Sequence, residues 1–188
     1  MTTVFLVRHA SHDLLGRVLA GRMAGVRLSS QGRDEARRVG QRLAREPLAA
    51  VHSSPVDRAW ETAEGIAAPH GIAVTPAEAL NEIDFGAWTG AEFVALEADP
   101  RWSTWNAERS RARPPGGESM LEAQLRATRH LLAICEQYRD TALAFVTHQD
   151  IIKAVLAHLL GLSLDSLHRF EVSPASVSTV ASAMQNGT

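Results

Sequence analysis

The chain has little cysteine, little net charge and no long apolar run, and each shortage excludes a class of protein. A single cysteine, Cys135, permits no internal disulfide, which predicts a reducing compartment and hence a cytoplasmic location. The formal net charge of −2 gives no basic surplus for nucleic acid. No segment approaches the roughly 18 apolar residues of a membrane span, and the first residues lack the basic region of a signal peptide. We expect neither a nucleic-acid partner nor a membrane partner.

Motifs for two kinds of hydrolytic chemistry are also missing. The chain has eight histidines, but none forms a His-x-His or His-x₃-His pair beside carboxylates on one helix, which argues against a catalytic metal. Ser53 and Ser54 lack the Gly-x-Ser-x-Gly turn that exposes a serine nucleophile. The sequence therefore predicts chemistry without a metal, without a cofactor and without a nucleophilic serine.

The apolar content is sufficient for one core. With 188 residues, of which 45% are hydrophobic, we expect a single domain over 1–188. Short apolar runs alternate with amphipathic helices predicted over 30–45 and 121–138, and this alternation favours an α/β fold with a mostly parallel sheet. Cys135 falls at helical spacing with Leu131 and is predicted to lie in the core.

Two histidines each follow a predicted buried strand. The run 4–7 is followed by Arg8 and His9, and the run 141–146 by Thr147 and His148. Reactive side chains collect where the strands of an open α/β sheet end. Arginine keeps its charge and histidine titrates near neutrality, so the pattern indicates an anionic substrate.

A third segment supplies another cation beside a helix start. The strand predicted near 49–53 is followed by Ser54 as an N-cap, Pro55 as the first helical residue and Asp57 in the first turn. Arg58 would then lie near a helix N-terminus, where backbone N–H groups already favour anions.

The segment 80–90 is predicted to be a functional loop. It has too many glycine and polar residues for a strand, yet Phe85 and Trp88 suggest that it packs on the body of the protein. Glu82 is the natural proton donor and Asp84 its competitor. The spacing alone does not separate the two.

Residues 91–117 form a candidate cap over the site. Trp102 and Trp105 would share one face of a helix close to several arginines. Packing of the tryptophans into the core is the default interpretation, and a lid with an arginine that reaches the substrate is the alternative.

Taken together, four blocks resemble the histidine phosphatase superfamily, also called the phosphoglycerate mutase-like superfamily. They occur in family order and span the chain from Val4 to Gly161. The blocks are Leu6-Val7-Arg8-His9, Ser53-Ser54-Pro55 with Arg58, the loop 80–90 with Glu82, and Val146-Thr147-His148 followed by Gly161.

The resemblance implies a three-layer α/β/α fold and a role for each matching residue. His9 would be the nucleophile that takes the phosphoryl group, and Glu82 the general acid. Arg8, Arg58 and His148 would hold the phosphate oxygens in place of a metal. Because His9 must attack in its neutral form and His148 works best protonated, we expect the surroundings to push their pKa values apart.

The chain departs from the family pattern around the first histidine. Family members carry an asparagine a few residues further on that contacts phosphate, where this chain has 14–16. Ser11, His12 and Arg17 are the candidates to replace it, and Ser11 and Arg17 are predicted to bind substrate. Gln149 stands where the family favours glycine and is predicted to reach the substrate.

These residues predict a metal-independent phosphomonoesterase of the histidine acid phosphatase type, acting on a small phosphorylated substrate through a phosphohistidine. Three alternatives stay open: a phosphoglycerate mutase, a phosphohistidine-protein phosphatase and a non-catalytic module that binds a phosphorylated ligand. A homodimer is a further possibility.

Overall fold

A five-stranded sheet forms the centre of the protein, in a computed structural model that describes residues 1–182. The predicted domain extends to 188, and its part from 183 onward lies outside the described residues. The strand order is β3-β2-β4-β1-β5. The strands are β1 (Thr2–Arg8), β2 (Leu48–Ser53), β3 (Val74–Pro76), β4 (Ala142–Thr147) and β5 (Val177–Ser182).

The sheet is mostly parallel, as the sequence predicts. β1 and β2 both pair with β4 in parallel, and β3 pairs with β2 in parallel. β5 runs antiparallel to β1 at one edge. The sequence analysis did not identify β3 or β5, because one is three residues long and the other is rich in serine and only partly buried.

Helices cover both faces of the sheet and complete the α/β/α sandwich. Side chains of β1 alternate between the two faces of the sheet. Phe5 and Val7 belong to the core that contains α1 and α2, and Val4 and Leu6 belong to a second core that contains α5 and α6. Cys135 lies in the second core, as predicted. The helices are α1 (Ser30–Leu43), α2 (Asp57–Ala67), α3 (Phe93–Glu97), α4 (Pro100–Ala107), α5 (Met120–Gln137) and α6 (Gln149–Leu160).

The predicted start of α2 was wrong. The helix begins at Asp57 with Val56 as its N-cap, not at Pro55 with Ser54 as its N-cap. The Ser54 hydroxyl accepts a hydrogen bond from the Val56 N–H at 3.3 Å and donates one to Asn81 Oδ1 at 2.9 Å. The serine therefore closes a turn before the helix and is tied to another loop.

The segment 91–117 contains α3, α4 and the turn into α5. Within residues 1–182, no helix is both long enough and apolar enough to cross a membrane.

Candidate active site

Three parallel strands end at one edge of the sheet and carry the site. β1 and β4 pair with Arg8 opposite Thr147, so the residues that follow, His9 and His148, come side by side. Their ring centroids are 5.2 Å apart. Both side chains are buried, with exposed fractions of 3% and 0% for the residues. The prediction that the two strand-end histidines meet is correct.

Hydrogen bonds select one tautomer of His9. Its Nδ1 lies 2.8 Å from the carbonyl oxygen of Ala10, which can only accept, so Nδ1 carries the proton. Arg58 Nε donates to Nε2 at 3.2 Å, which requires a lone pair there. Nε2 is therefore the nitrogen of a neutral imidazole that carries the lone pair.

Arg58 lies between the two histidines. Besides the bond to His9, its Nη2 donates to the Gly21 carbonyl at 2.7 Å and lies 3.2 Å from Nδ1 of His148. Its Nη1 is buried and makes no hydrogen bond to a described residue. Burial lowers the pKa of Arg58, but a guanidinium keeps its charge in proteins.

Arg8 adds a second, partly buried guanidinium. Its Nη1 donates to the Val172 carbonyl at 2.7 Å, and its Nε is buried without a partner in residues 1–182. A buried donor without a partner costs free energy unless a ligand or water accepts from it. Arg8 and Arg58 thus offer charged donors to an anion.

A chain of side chains orients His148. Arg58 donates toward Nδ1, so the proton of the neutral ring lies on Nε2, which is 3.0 Å from Ser54 Oγ. That hydroxyl donates to Asn81 Oδ1, and Asn81 in turn donates to Glu78. The sequence analysis missed this relay, since Ser54 and Asn81 are 27 positions apart.

The structure separates Glu82 from Asp84. Glu82 lines the same cavity as His9, and its Oε2 lies 3.9 Å from His148 Nδ1. Asp84 is absent from that lining, and its carboxylate accepts from the Gly86 N–H at 2.9 Å, which closes a turn. Of the two candidates, only Glu82 is placed to act on a ligand.

The loop that carries Glu82 is held from behind. Arg126 of α5 donates to the carbonyl oxygens of Ala79 and Glu82 at 2.7 and 3.2 Å and pairs with Glu118 at 2.6 Å. A Cβ at Gly117 would lie 2.3 Å from the Asp84 carbonyl oxygen, so only glycine permits this approach. These contacts fix the position of the loop, and with it the position of Glu82.

The expected separation of the histidine pKa values does not occur in this structure. Burial, and then the Arg58 guanidinium, hold the pKa values of both His9 and His148 well below their ordinary value. The prediction assumed that the two histidines have different surroundings, whereas both lie beside the same buried cation, Arg58. Burial, reinforced by Asp150 and opposed by Arg58, raises the pKa of Glu82 to about 7.

These side chains surround a cavity of about 480 Å³ with two distinct sides. We call Arg8, His9, Arg58 and His148 the strand-edge wall, and Phe93, Trp102, Asn106 and Arg109 the helical wall. His148 sits immediately behind the cavity lining, in contact with Arg58, and all the other members line it directly.

Three further residues were predicted to bind substrate, and the structure brings one of them to the cavity. Gln149, the first residue of α6, lines it. Ser11 and Arg17 do not: the Ser11 N–H donates to Glu35 at 2.9 Å, and Arg17 is exposed. His12 lines the cavity in their place.

The structure places one tryptophan in the core and the other at the cavity. Trp105 is fully buried and packs edge-on against Phe85 at 6.2 Å, whereas Trp102 is partly buried and lines the cavity. Arg109 also lines it, with its guanidinium 5.0 Å from the Trp105 ring and 2.9 Å from Asp150 Oδ2. Asp150 was not identified from the sequence, although it lies only two residues after His148.

Within residues 1–182, no three His, Cys, Asp or Glu side chains are grouped so that they could hold a metal ion. The charged side chains that line the cavity are the guanidiniums of Arg8, Arg58 and Arg109 and the carboxyls of Glu82 and Asp150.

Comparison with known proteins agrees with this arrangement. The family model of the histidine phosphatase superfamily (branch 1) matches residues 4–187. Phosphoserine phosphatase 1 of Hydrogenobacter thermophilus is 29% identical over 185 residues, which cover 96% of this chain and 86% of that protein. The bifunctional protein Rv2228c of Mycobacterium tuberculosis is 31% identical over 94% of this chain, which spans about half of that protein (49%).

A solved structure shares the fold over almost its full length. Bacillus stearothermophilus YhfR matches with a TM-score of 0.89 at 28% identity and covers 98% of this chain and 93% of that one. The family model, the sequence relatives and the fold agree with the four motif blocks, and the chain belongs to branch 1 of the histidine phosphatase superfamily.

Proposed function

We propose that the protein is a phosphomonoesterase that hydrolyses a small phosphorylated substrate through a phosphohistidine on His9, without a metal. One observation carries this proposal. Two buried guanidinium donors, Arg58 Nη1 and Arg8 Nε, lack partners in the described chain, and both arginines line the cavity that His9 also lines. Such an arrangement suits a phosphoryl group, whose transfer depends on position and charge stabilisation.

In the first step the Nε2 lone pair of His9 bonds to phosphorus while the ester P–O bond breaks. Arg58 Nε, which now donates to that nitrogen, turns to a phosphate oxygen and frees the lone pair. The electron pair of the broken bond leaves with the ester oxygen, which takes a proton from Glu82. A pKa of about 7 keeps a large fraction of Glu82 protonated near neutrality, as a general acid requires.

In the second step Glu82, now a carboxylate, takes a proton from water. The water oxygen bonds to phosphorus, the P–N bond breaks, and its electron pair returns to Nε2 of His9. Inorganic phosphate leaves, and both side chains return to their starting states. The covalent intermediate divides one difficult displacement into two easier ones.

The phosphate dianion also accounts for the role expected of His148. In the structure burial, and then the Arg58 guanidinium, hold the pKa of His148 well below its ordinary value, so the ring is neutral. A dianion between Arg8 and Arg58 offsets their charges, so proton uptake by His148 accompanies substrate binding. The pKa separation expected from the sequence then belongs to the complex and not to the free protein.

The substrate class that we propose is a small phosphate ester such as phosphoserine. The name of the Hydrogenobacter thermophilus relative supports it, and a cavity of about 480 Å³ has room for a leaving group of that size. We further propose that 91–117 acts as a cap of the single domain. The cytoplasmic location and the homodimer remain predictions.

Phosphate release tests this proposal. The protein is assayed with EDTA against phosphoserine and a panel of other phosphorylated metabolites, with His9→Ala as the control. We expect release by the wild type and a loss of several orders of magnitude in the variant. Turnover that survives in His9→Ala would contradict the nucleophile.

Trapping and product analysis test the intermediate. Labelled substrate quenched without acid is expected to leave label on His9 in an acid-labile linkage, and label on serine would refute the mechanism. Interconversion of 2- and 3-phosphoglycerate is measured in parallel. If interconversion outpaces phosphate release, the protein is a mutase.

A further inference from the structure

His12 is the one histidine of the cavity lining to which the proposed mechanism gives no role. Its ring lies 5.5 Å from the ring of His9, centroid to centroid, and the residue is 7% exposed. Neither of its ring nitrogens makes a hydrogen bond within residues 1–182, and Nδ1 is fully buried. A buried imidazole nitrogen without a partner costs free energy unless a ligand or water completes it.

The backbone around His12 is fixed by hydrogen bonds and close packing, which sets the point from which the ring leaves the loop. The Ser11 N–H donates to Glu35 at 2.9 Å, and the Ser11 carbonyl accepts from the Ser29 N–H at 3.0 Å. A Cβ at Gly32 would lie 1.9 Å from that same carbonyl oxygen, so α1 presses directly on the loop. On the other side, the His12 carbonyl accepts from the Leu15 N–H at 3.1 Å.

The charges that face His12 come from three directions. Arg58 of α2 and Arg8 of β1 disfavour the imidazolium, and the adjacent Asp13 favours it. Burial, and then the charges of Arg58 and Arg8, lower the pKa of His12 to about 4 against the opposing effect of Asp13. The ring is therefore neutral near pH 7 and offers one N–H donor, in a pocket that already holds two fixed cations.

We propose that His12 is a third imidazole of the phosphate site, which donates a ring N–H to a phosphate oxygen opposite the guanidiniums of Arg8 and Arg58. This inference rests on the proposed function and adds a phosphate-binding residue to it. Of the three candidates that the sequence offered to replace the asparagine, namely Ser11, His12 and Arg17, the His12 ring would supply the donor. Since the ring lies beside the nucleophile, its bond would also hold phosphorus in line with Nε2 of His9.

Inhibition by inorganic phosphate tests the proposal directly. His12→Leu removes both nitrogens at similar size, and we expect its inhibition constant for phosphate to rise about tenfold or more, because hydrogen bonds to charged groups are among the strong ones. The side-chain amide of His12→Asn lies near the position of Nδ1, and that of His12→Gln lies near the position of Nε2. We expect at least one of them to stay within about threefold of the wild type.

A matched control and a stability measurement separate binding from folding. His158→Asn makes the same chemical change at an exposed position of α6 and is expected to leave the inhibition constant unchanged. Thermal unfolding of each variant is recorded with and without phosphate. A smaller phosphate-induced rise of the Tm in His12→Leu than in the wild type is the expected result.

The outcomes distinguish this inference from the function on which it rests. If the wild type neither hydrolyses phosphate esters nor binds phosphate, the proposed function fails. If the wild type does both and His12→Leu binds phosphate as well as the wild type, only the role of His12 is refuted. Equal losses in His12→Leu and both amide variants would likewise overturn hydrogen-bond donation.

Discussion

The two walls of the cavity treat their arginines in opposite ways. In the strand-edge wall, Arg58 is buried and Arg8 is partly buried, and each has a buried donor without a partner in the described chain. In the helical wall, both terminal nitrogens of Arg109 are paired: Nη1 bonds to Asp150 and Nη2 to Asn106, both at 2.9 Å, and the guanidinium lies over Trp105.

This difference assigns a separate task to each wall. Unpartnered buried donors are costly in the free protein and are satisfied when an anion binds, so the strand-edge wall is poised for a phosphoryl group. The charge of Arg109 is instead already offset by Asp150, and its guanidinium is stacked on Trp105, so it gains less from an anion than the strand-edge arginines do. The helical wall is therefore expected to shape the leaving group more than to grip its charge.

Replacement of Glu82, which stands between the walls, is expected to give the largest effect. Glu82→Gln should lower turnover of an alkyl phosphate by about 10²- to 10⁴-fold, because the alkoxide then leaves without a proton. An aryl phosphate, with a better leaving group, should lose far less. The measurement is kcat for both substrates, with Asp84→Asn as the control from the same loop.

The pH profile sharpens this prediction. The protonated form of Glu82 falls as pH rises through its pKa of about 7, so we expect wild-type activity on the alkyl phosphate to decline on that side. The decline should be absent in Glu82→Gln. If Asp84→Asn shows the leaving-group dependence instead, the roles of the two carboxyls are reversed.

Arg58→Lys tests the strand-edge wall. It keeps the charge but loses the planar fork that reaches His9, the Gly21 carbonyl and His148 at once. We expect kcat/KM to fall by about 10²- to 10³-fold, as for loss of a transition-state donor. Arg37→Lys, on the exposed side of α1, is the matched control. A loss of less than tenfold would mean that charge alone suffices.

Ser54→Ala probes the support behind that wall. The variant loses the hydroxyl that fixes the tautomer of His148, and residues that orient a reactive group are typically worth about 10- to 100-fold. We expect kcat to fall by a factor near the lower end of that range, with KM little changed. The NMR resonance of His148 should also shift. An unchanged His148 signal would indicate that Ser54 only packs.

Arg109→Gln tests the helical wall and is expected to have the smallest effect. Because the guanidinium is already paired with Asp150, its loss should change KM by a few-fold and leave phosphate inhibition unaffected. Arg101→Gln is a matched control, since Arg101 is also paired with a carboxylate, Asp99 at 2.7 Å, but lies outside the cavity. If KM rises strongly, and only for a substrate that carries a carboxylate, then Arg109 breaks its ion pair with Asp150 to bind that substrate.

The sequence predicted the two walls unequally. Arg8, His9 and His148 follow buried strands, and parallel strands bring their ends to one edge whatever the details of packing. The position of each of these residues is therefore encoded locally. The start of α2 was placed two residues early, because Ser54 looks like an N-cap from its neighbours alone and its bonds to Asn81 and His148 are distant in sequence.

By itself, then, the sequence determined the fold class, the family and the strand-end residues, since strand periodicity and short motifs depend on near neighbours. Only the tertiary structure showed that Glu82 and not Asp84 lines the cavity, and that His12 lines it instead of Ser11 and Arg17. It also showed that Arg109 pairs with Asp150. Those outcomes depend on which side chains share a buried space across 40 or more positions, as Arg109 and Asp150 do. Burial beside a shared cation likewise set the histidine pKa values, and no local pattern records that environment.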